Sequence, residues 1–250
     1  MTDKTQYLKQ LWPKAKEEVS LFDAYATTSK NDTTYLRINM VSSIDGAISI
    51  NGKARELSSD IDRVVFHSLR SFSDLVLVGA GTMRIEEYKP VPLTIEEQSK
   101  RIERNQKAIP PIALVTRSGE FNFETDFFTK AVAKPIILTT EIGARVAQNN
   151  GLADIIICGK SQVDLNFAIK ELNLLGYKNI LCEGGPSLNA DLLKENLVDE
   201  LCLTINPMLV QGDGKRIFDG PKIDTPKSFK ISNIFTQNDQ LFFRYTKKTD

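Results

Sequence analysis

Two stretches of the chain share one design, DLVLVGAGT at residues 74–82 and NILCEGGPSLNADLL at residues 179–193: an apolar, strand-sized run enters a glycine turn and leaves as a helix. Further apolar runs, IALVTRS, PIILTT and ADIIICG, lie between them, and DLNFAIKELNLLG supplies a well-patterned helix before the second junction. Alternation of this kind restricts the chain to a largely parallel sheet covered on both faces. The junctions also have a chemical meaning. Glycine lets a ligand approach the main chain closely, and the N–H groups at a helix start carry partial positive charge that suits phosphate.

The flanking regions differ from this pattern. Residues 1–32 are polar and mixed and read as an N-terminal extension packed on the surface, with a short helix near Trp12 and another around SLFDAYA. TYLRINMVSSIDG alternates like a strand, and a short second strand, AISI, ends at the Asn51-Gly52 turn. Ser58 or Ser59 is placed to cap a helix running through Arg70. The charged stretch LTIEEQSKRIERNQK, bracketed by prolines, reads as a solvated helix or an excursion near residues 86–110. ELCLTINPMLV, KSFKISNIFTQ and QLFFRYTK read as three strands with no helix of comparable strength between them, an antiparallel finish that makes the sheet mixed. With no persuasive linker, residues 33–250 read as a single domain long enough to bury a sizeable core.

Charge and cysteine usage exclude several functions. Lysine plus arginine equals aspartate plus glutamate at 32 each, so no net field draws the chain to nucleic acid or to an anionic membrane. The longest apolar runs are far short of a bilayer span, and the polar start MTDKTQYLKQ lacks a signal-peptide core, which predicts a cytoplasmic protein. Cys158, Cys182 and Cys202 each sit in or beside an apolar run and read as buried free thiols. The one histidine, His67, lies in a helical run, and no CxxC or Cys/His pair has metal spacing, so no metal site is predicted.

The chemistry gathers at the ends of the predicted strands. In EGGPSLNADLL, Gly184 and Gly185 supply the turn, Pro186 fits the first helical position and Ser187 adds a hydroxyl. The segment taken alone is equally a phosphate cradle or a turn needed only for strand-to-helix packing. GAGTMR lacks the third glycine of GxGxxG, and position 99 is a serine rather than an acid, which disfavours an ordinary dinucleotide-binding domain. Asp45 in SSIDG is a carboxylate that either binds polar ligand groups or satisfies its own Asp-Gly turn, and taken alone the turn is favoured. Glu183, between NIL and the double glycine, falls at the carboxyl edge of the sheet, where ligands collect in α/β proteins.

Taken in order, RINMVSSIDGAIS, HSLRSFSDLVLVGAGTMR and CEGGPSLNADLLKENLVDELCLTINPMLVQG closely resemble the reductase domain of bacterial riboflavin biosynthesis proteins, the pyrimidine reductase family related in fold to dihydrofolate reductase. The resemblance implies NADPH as cofactor, a three-layer α/β/α fold around a mixed, mostly parallel sheet, and a homodimer. It also implies roles for individual residues. Ser42 lies by the nicotinamide, Thr82 and Glu86 beside Gly79 contact the cofactor, and Gly185 through Asp191, Leu188 included, cradle its phosphates after Gly184. Ser118 is a further cofactor contact, and its neighbour Arg117 is suited to a 2′-phosphate. Arg70 and Glu183 match substrate-contacting positions, and Asp45 belongs to the same signature, so Asp45 and Glu183 are assigned to substrate orientation or proton handling.

The implied reaction reduces the ribosyl side chain of a phosphorylated aminopyrimidine to ribityl. Reduction of a pterin ring and a non-catalytic NADPH-binding module are the alternatives. The chain departs from the family in three respects. The zinc deaminase signature is missing, Ala54 stands where many relatives offer a hydroxyl, and the loop after Glu87 has no clear counterpart of the usual substrate-phosphate arginine.

Overall fold

The computed structural model describes residues 7–26, 33–147 and 151–248, and the remainder of the 1–32 extension lies outside them. An eleven-stranded sheet organises the described residues, in the spatial order β2-β1-β10-β11-β9-β3-β8-β4-β5-β6-β7. Its parallel half consists of β3 (Tyr35–Ser43), β4 (Leu75–Gly79), β5 (Ile112–Val115), β6 (Ile136–Thr139), β7 (Asp154–Ile157) and β8 (Asn179–Cys182). β9 (Glu200–Asn206) runs parallel to β3, and β11 (Gln240–Lys247) and β10 (Phe229–Gln237) then add antiparallel strands, as the sequence predicted.

Side-chain alternation explains the layers. Leu75, Leu77, Ile180 and Cys182 face one side, where α7 (Leu165–Leu174) and α8 (Pro186–Lys194) bury Ala168, Leu172, Leu188 and Leu192 against them. On the other side Leu181 meets Ile61, Val65 and Leu69 of α2 (Asp60–Phe72), while Val76 and Val78 meet Met83 of α3 (Ala80–Ile85) and Phe127 and Phe128 of α5 (Asp126–Thr129). Helices thus cover both faces of the parallel half, giving three layers. Ser59 caps α2 by accepting from the Asp62 amide.

The N-terminal region corrects the sequence reading. Residues around Trp12 form β1 (Tyr7–Trp12), paired antiparallel with β2 (Lys16–Ser20) and with β10, rather than a helix. Period-2 burial of Leu8 and Gln10 is the physical reason, since β10 offers an unpaired edge that a strand can extend. Among the described residues there, only α1 (Leu21–Tyr25) is helical, and Leu8, Ala24 and Tyr25 are core residues rather than surface packing. Arg37 and Arg244 hold this segment down. Both pair with the fully buried Glu200, while Arg37 donates to the Tyr25 carbonyl at 2.8 Å and Arg244 to that of Ala24.

Two smaller corrections concern loops. AISI is not a strand: the chain folds back after the turn, with the Ser43 amide on the Ala47 carbonyl, and only an isolated bridge joins Ile50 to Lys53. The charged excursion does contain a helix, α4 (Ile95–Glu103), opened by a capping box at Thr94, yet Arg101 on it is completely buried. Its guanidinium donates to the Ser71, Ser73 and Lys107 carbonyls at 2.9, 2.6 and 2.8 Å, capping the C-terminal end of α2.

Apolar side chains form rows on one face of the antiparallel half. Leu201, Leu203 and Ile205 of β9 lie in register with Tyr245, Phe243 and Leu241 of β11, and the rows continue to Ile231 and Ile234 of β10 and to Trp12. These side chains are half-buried or exposed, Trp12 by 52%.

Candidate functional site

Because β3, β4, β5 and β8 are parallel, their carboxyl ends bring Ser42, Gly79, Arg117 and Glu183 to one edge of the sheet. There the two glycine junctions meet. The Gly79 amide donates to the Gly184 carbonyl at 2.7 Å, and a Cβ on Gly79 would lie 3.6 Å from the Gly185 nitrogen. Gly184 has a left-handed φ of 83° and joins Gly185 through a cis peptide. A Cβ on Gly185 would stand 2.3 Å from the Thr82 hydroxyl, so close approach favours glycine at 185, while the turn itself calls for it at 184.

Gly185 is the N-cap of α8 and offers no side-chain cap, Pro186 occupies the first turn, and Ser187 is exposed beside it. The first-turn N–H groups of α8 therefore have no side-chain cap, and the partial positive charge of such a helix start suits an anion. The Leu188 side chain is buried in the core, so only its main chain is available to a ligand. Asn189, within the stretch from Gly185 to Asp191 implied as a cradle, is fully buried and donates to the Ile217 carbonyl at 2.9 Å, fastening the loop after β9 to α8.

Beyond β5, Arg117 and Ser118 are exposed on a short loop. Its shape is fixed from below: Thr140 donates to the Arg117 carbonyl at 3.0 Å, and a Cβ on Gly119 would lie 2.0 Å from the Gly143 carbonyl oxygen.

Glu183 is engaged more fully than its position in the sequence indicated. Arg70, at the end of α2, donates from Nε and Nη2 to its two carboxylate oxygens at 2.6 and 2.7 Å, and both side chains are buried. The Tyr88 hydroxyl adds a third bond at 2.7 Å, and the guanidinium lies 4.2 Å from the Phe66 ring centroid. Burial alone would lower the Arg70 pKa, but the Glu183 carboxylate outweighs it and holds the guanidinium above its ordinary value. Burial and the same carboxylate keep the Tyr88 hydroxyl well above the usual phenol range, so Tyr88 is a donor and not an acid at neutral pH. Arg70 and Glu183 were each visible in the sequence. Their pairing and Tyr88 were not, and the only signal for Tyr88 is its place between α3 and the first proline of the excursion.

Asp45 and Glu86 are also committed. Asp45 is exposed and accepts from Ser43 and from the Val210 and Gln211 amides, the latter at 2.7 Å, and these bonds, the Ser43 hydroxyl first, hold its pKa below the usual carboxylate value. Glu86 accepts from the Ala54 amide at 2.8 Å. Among the described residues no group of three or more His, Cys, Asp or Glu could hold a metal ion, and no helix is long and apolar enough to cross a membrane.

A mixed three-layer fold brings two glycine turns, the start of α8 and a buried Arg70–Glu183 pair joined by half-buried Tyr88 to the carboxyl edge of its sheet, where ligands collect in α/β proteins. The RibD C-terminal domain family matches residues 34–242, and the chain belongs to that family. It is 26% identical over 220 residues to a 2,5-diamino-6-ribosylamino-4(3H)-pyrimidinone 5′-phosphate reductase of Methanothermobacter thermautotrophicus, covering 86% of this chain and 98% of that protein. A protein of the same name from Archaeoglobus fulgidus is 26% identical over 190 residues, covering 74% and 86%. Among solved structures, a pyrimidine reductase-like protein from Corynebacterium diphtheriae superposes with a TM-score of 0.79 at 24% identity, covering 87% of this chain and 93% of that one.

Proposed function

We propose that the chain is an NADPH-dependent reductase of riboflavin biosynthesis that converts the ribosylamino side chain of a 5-phosphoribosylaminopyrimidine to the ribitylamino form. The observation that carries this reading is the junction of two glycine turns at Gly79 and Gly184–Gly185, beside the buried Arg70–Glu183–Tyr88 cluster. Gly185 opens α8 without a side-chain cap and Ser187 stands exposed beside it, so the residues present fit a cofactor pyrophosphate there.

In this reading the main chain of Gly184, Gly185, Pro186, Ser187 and Leu188 holds the phosphates, Thr82 and Gly79 wall the cradle, and Ser42 borders the nicotinamide. Arg117 and Ser118 receive the 2′-phosphate, which favours NADPH over NADH. The bound nicotinamide supplies a hydride for C1 of the opened, imine-like sugar. The protein orients the partners, with Arg70 and Glu183 on the pyrimidine side and Asp45 fixing the loop after β9. Asp45 and Glu183 are assigned to substrate orientation or proton handling at the sugar.

Relatives named for the 2,5-diamino compound make the undeaminated pyrimidine the first substrate to test. Steady-state NADPH oxidation is expected with that compound, with less or none for the deaminated uracil analogue and none for dihydrofolate. Turnover with dihydrofolate alone would make the protein a pterin reductase, and binding of NADPH without turnover of any of the three would make it a binding module. The half-buried and exposed apolar rows of β9, β11 and β10 support a homodimer in a cytoplasmic enzyme. Sedimentation as a monomer at micromolar concentration would refute the dimer.

A further inference from the structure

The described residues 207–228, between β9 and β10, form neither helix nor strand, yet their first half is fastened at two places. One is the turn after β3. The Ile44 amide donates to the Met208 carbonyl at 2.9 Å, the Asp45 carboxylate accepts from the Val210 and Gln211 amides at 3.1 and 2.7 Å, and a Cβ on Gly214 would lie 3.5 Å from that of Ala47. The other is the start of α8. Asn189 donates to the Ile217 carbonyl at 2.9 Å, the Asp219 amide to the Pro186 carbonyl at 3.1 Å, and a Cβ on Gly220 would lie 2.7 Å from that of Ala190. β3 and β8 are neighbouring parallel strands, so residues 208–220 cross the carboxyl edge of the sheet from one strand end to the other.

The two fastenings differ in strength. At α8, Asn189 is fully buried and Phe218 packs on the core that contains Leu188 and Leu192. A Cβ on Gly184 would stand 3.6 Å from the Asn189 side-chain nitrogen, so the same side chain borders the left-handed glycine of the junction. The fastening at β3 is exposed to water. Asp45 and residues 211–216 are all exposed, and Gln211 adopts a φ of 62°, a region unfavourable for a residue with a side chain, which the bond from its amide to Asp45 offsets. A segment with exposed hydrogen bonds and little buried apolar surface opens at low free energy. Its opening reaches the first turn of α8 through Asn189 and the Pro186 carbonyl.

We infer that residues 208–220 form a strap whose fastening is coupled to anion binding at the start of α8. A ligand on the first-turn N–H groups favours the fastened strap, and an open strap weakens the ligand. Linkage makes the two effects equal in size. Asp45 is a positioning residue here, acting through the Val210 and Gln211 amides. The inference deepens the proposed function and rests on it for the identity of the ligand, the pyrophosphate of NADPH.

Lys215 and Arg216 are exposed within the strap, so trypsin cleavage after them reports its opening. Full-length protein and its Asp45→Ala and Asp45→Asn variants are digested alone, with NADPH and with inorganic pyrophosphate, and the cut is located by mass spectrometry. In the unmodified protein each ligand at saturation is expected to slow this cleavage about fivefold or more, the low end of ordinary coupling. Asp45→Ala is expected to be cut about tenfold faster without ligand and to bind NADPH about five- to tenfold more weakly by cofactor fluorescence. Asp45→Asn, whose amide oxygen still accepts from Gln211, is expected to restore both, and the exposure of Asp45 keeps both variants folded. Cleavage that NADPH and pyrophosphate both leave unchanged overturns the coupling. An Asp45→Ala variant that is cut no faster, or that is cut faster yet binds NADPH as before, overturns it too. Slowing by pyrophosphate without any by NADPH keeps the strap and removes the cofactor reading.

Discussion

Replacing Glu183 with glutamine keeps the shape of the side chain and removes its charge, and the structure sets the consequence. The carboxylate is 2% exposed and accepts three bonds of 2.6 to 2.7 Å, two from an arginine whose side chain is 8% exposed. Glutamine retains one acceptor oxygen, but its amide group then points donors at Arg70, whose charge is left buried without a counter-ion. Breaking a buried pair in this way costs about 3–5 kcal/mol, and the surviving hydrogen bond puts Glu183→Gln near the lower end. For a chain of this length about 3 kcal/mol lowers Tm by roughly 6–12 °C. Urea unfolding and calorimetry read that loss, and pyrimidine turnover falls beside it. Adding Arg70→Gln removes the stranded charge, so the double variant is expected to be more stable than the sum of the single effects by about 1–3 kcal/mol. The reasoning is refuted if Glu183→Gln unfolds within about 0.5 kcal/mol of the unmodified protein, the spread of ordinary surface changes.

Gly185→Val, with a side chain starting 2.3 Å from the Thr82 hydroxyl, is expected to abolish NADPH binding in a chain that circular dichroism shows to be folded, and normal binding would mean the cradle lies elsewhere. Arg117→Ala is expected to narrow the preference for NADPH over NADH, and equal dissociation constants for the two cofactors in the unmodified protein would remove that role. Burial raises the Glu200 pKa, but Arg37 and Arg244 outweigh it and bring it down to about 2. A carboxylate depressed on folding contributes stability that is fully present above its unfolded value of about 4.3 and is lost as pH falls toward 2. The stability difference between the unmodified protein and Glu200→Gln is therefore expected to be largest near neutrality and to shrink below about pH 4.3. A difference independent of pH would show that Glu200 is not the titrating group.

What could be read from the sequence was local. Apolar runs, glycine turns and the serine cap at Ser59 depend on residues within a few positions of one another, and they placed β4, α3, β8, α8 and α2 correctly. The strand at Trp12 was missed because its partner, β10, is supplied from the other end of the chain, and only pairing distinguishes YLKQLW from a short amphipathic helix. At the site the same division holds. Arg70 and Glu183 are 113 residues apart, so each was seen as a candidate while their mutual neutralisation was not. Asp45 does not close its own turn but accepts from the Ser43 hydroxyl and from amides at residues 210 and 211 that no local pattern connects with it. Arg101 was read as part of a solvated face because charge pattern alone does not reveal carbonyls waiting at the end of another helix.

The N-terminal hairpin has a consequence for synthesis of the chain. Gln10 on β1 meets Asn233 on β10 across 223 residues of sequence. At roughly 5–20 residues per second, the ribosome makes β1 and β2 roughly 10–45 seconds before their partner strand exists. A two-stranded ribbon is marginal by itself. During that interval Leu8 and Val19 have no Phe235 to pack on, and the α1 carbonyls lack the Arg244 guanidinium. The parallel strands from β3 to β8 are complete much earlier and can collapse on their own helices. The nascent protein thus carries an unsatisfied hairpin until its partner strands are made, which makes residues 7–26 the segment that needs shielding from neighbouring chains.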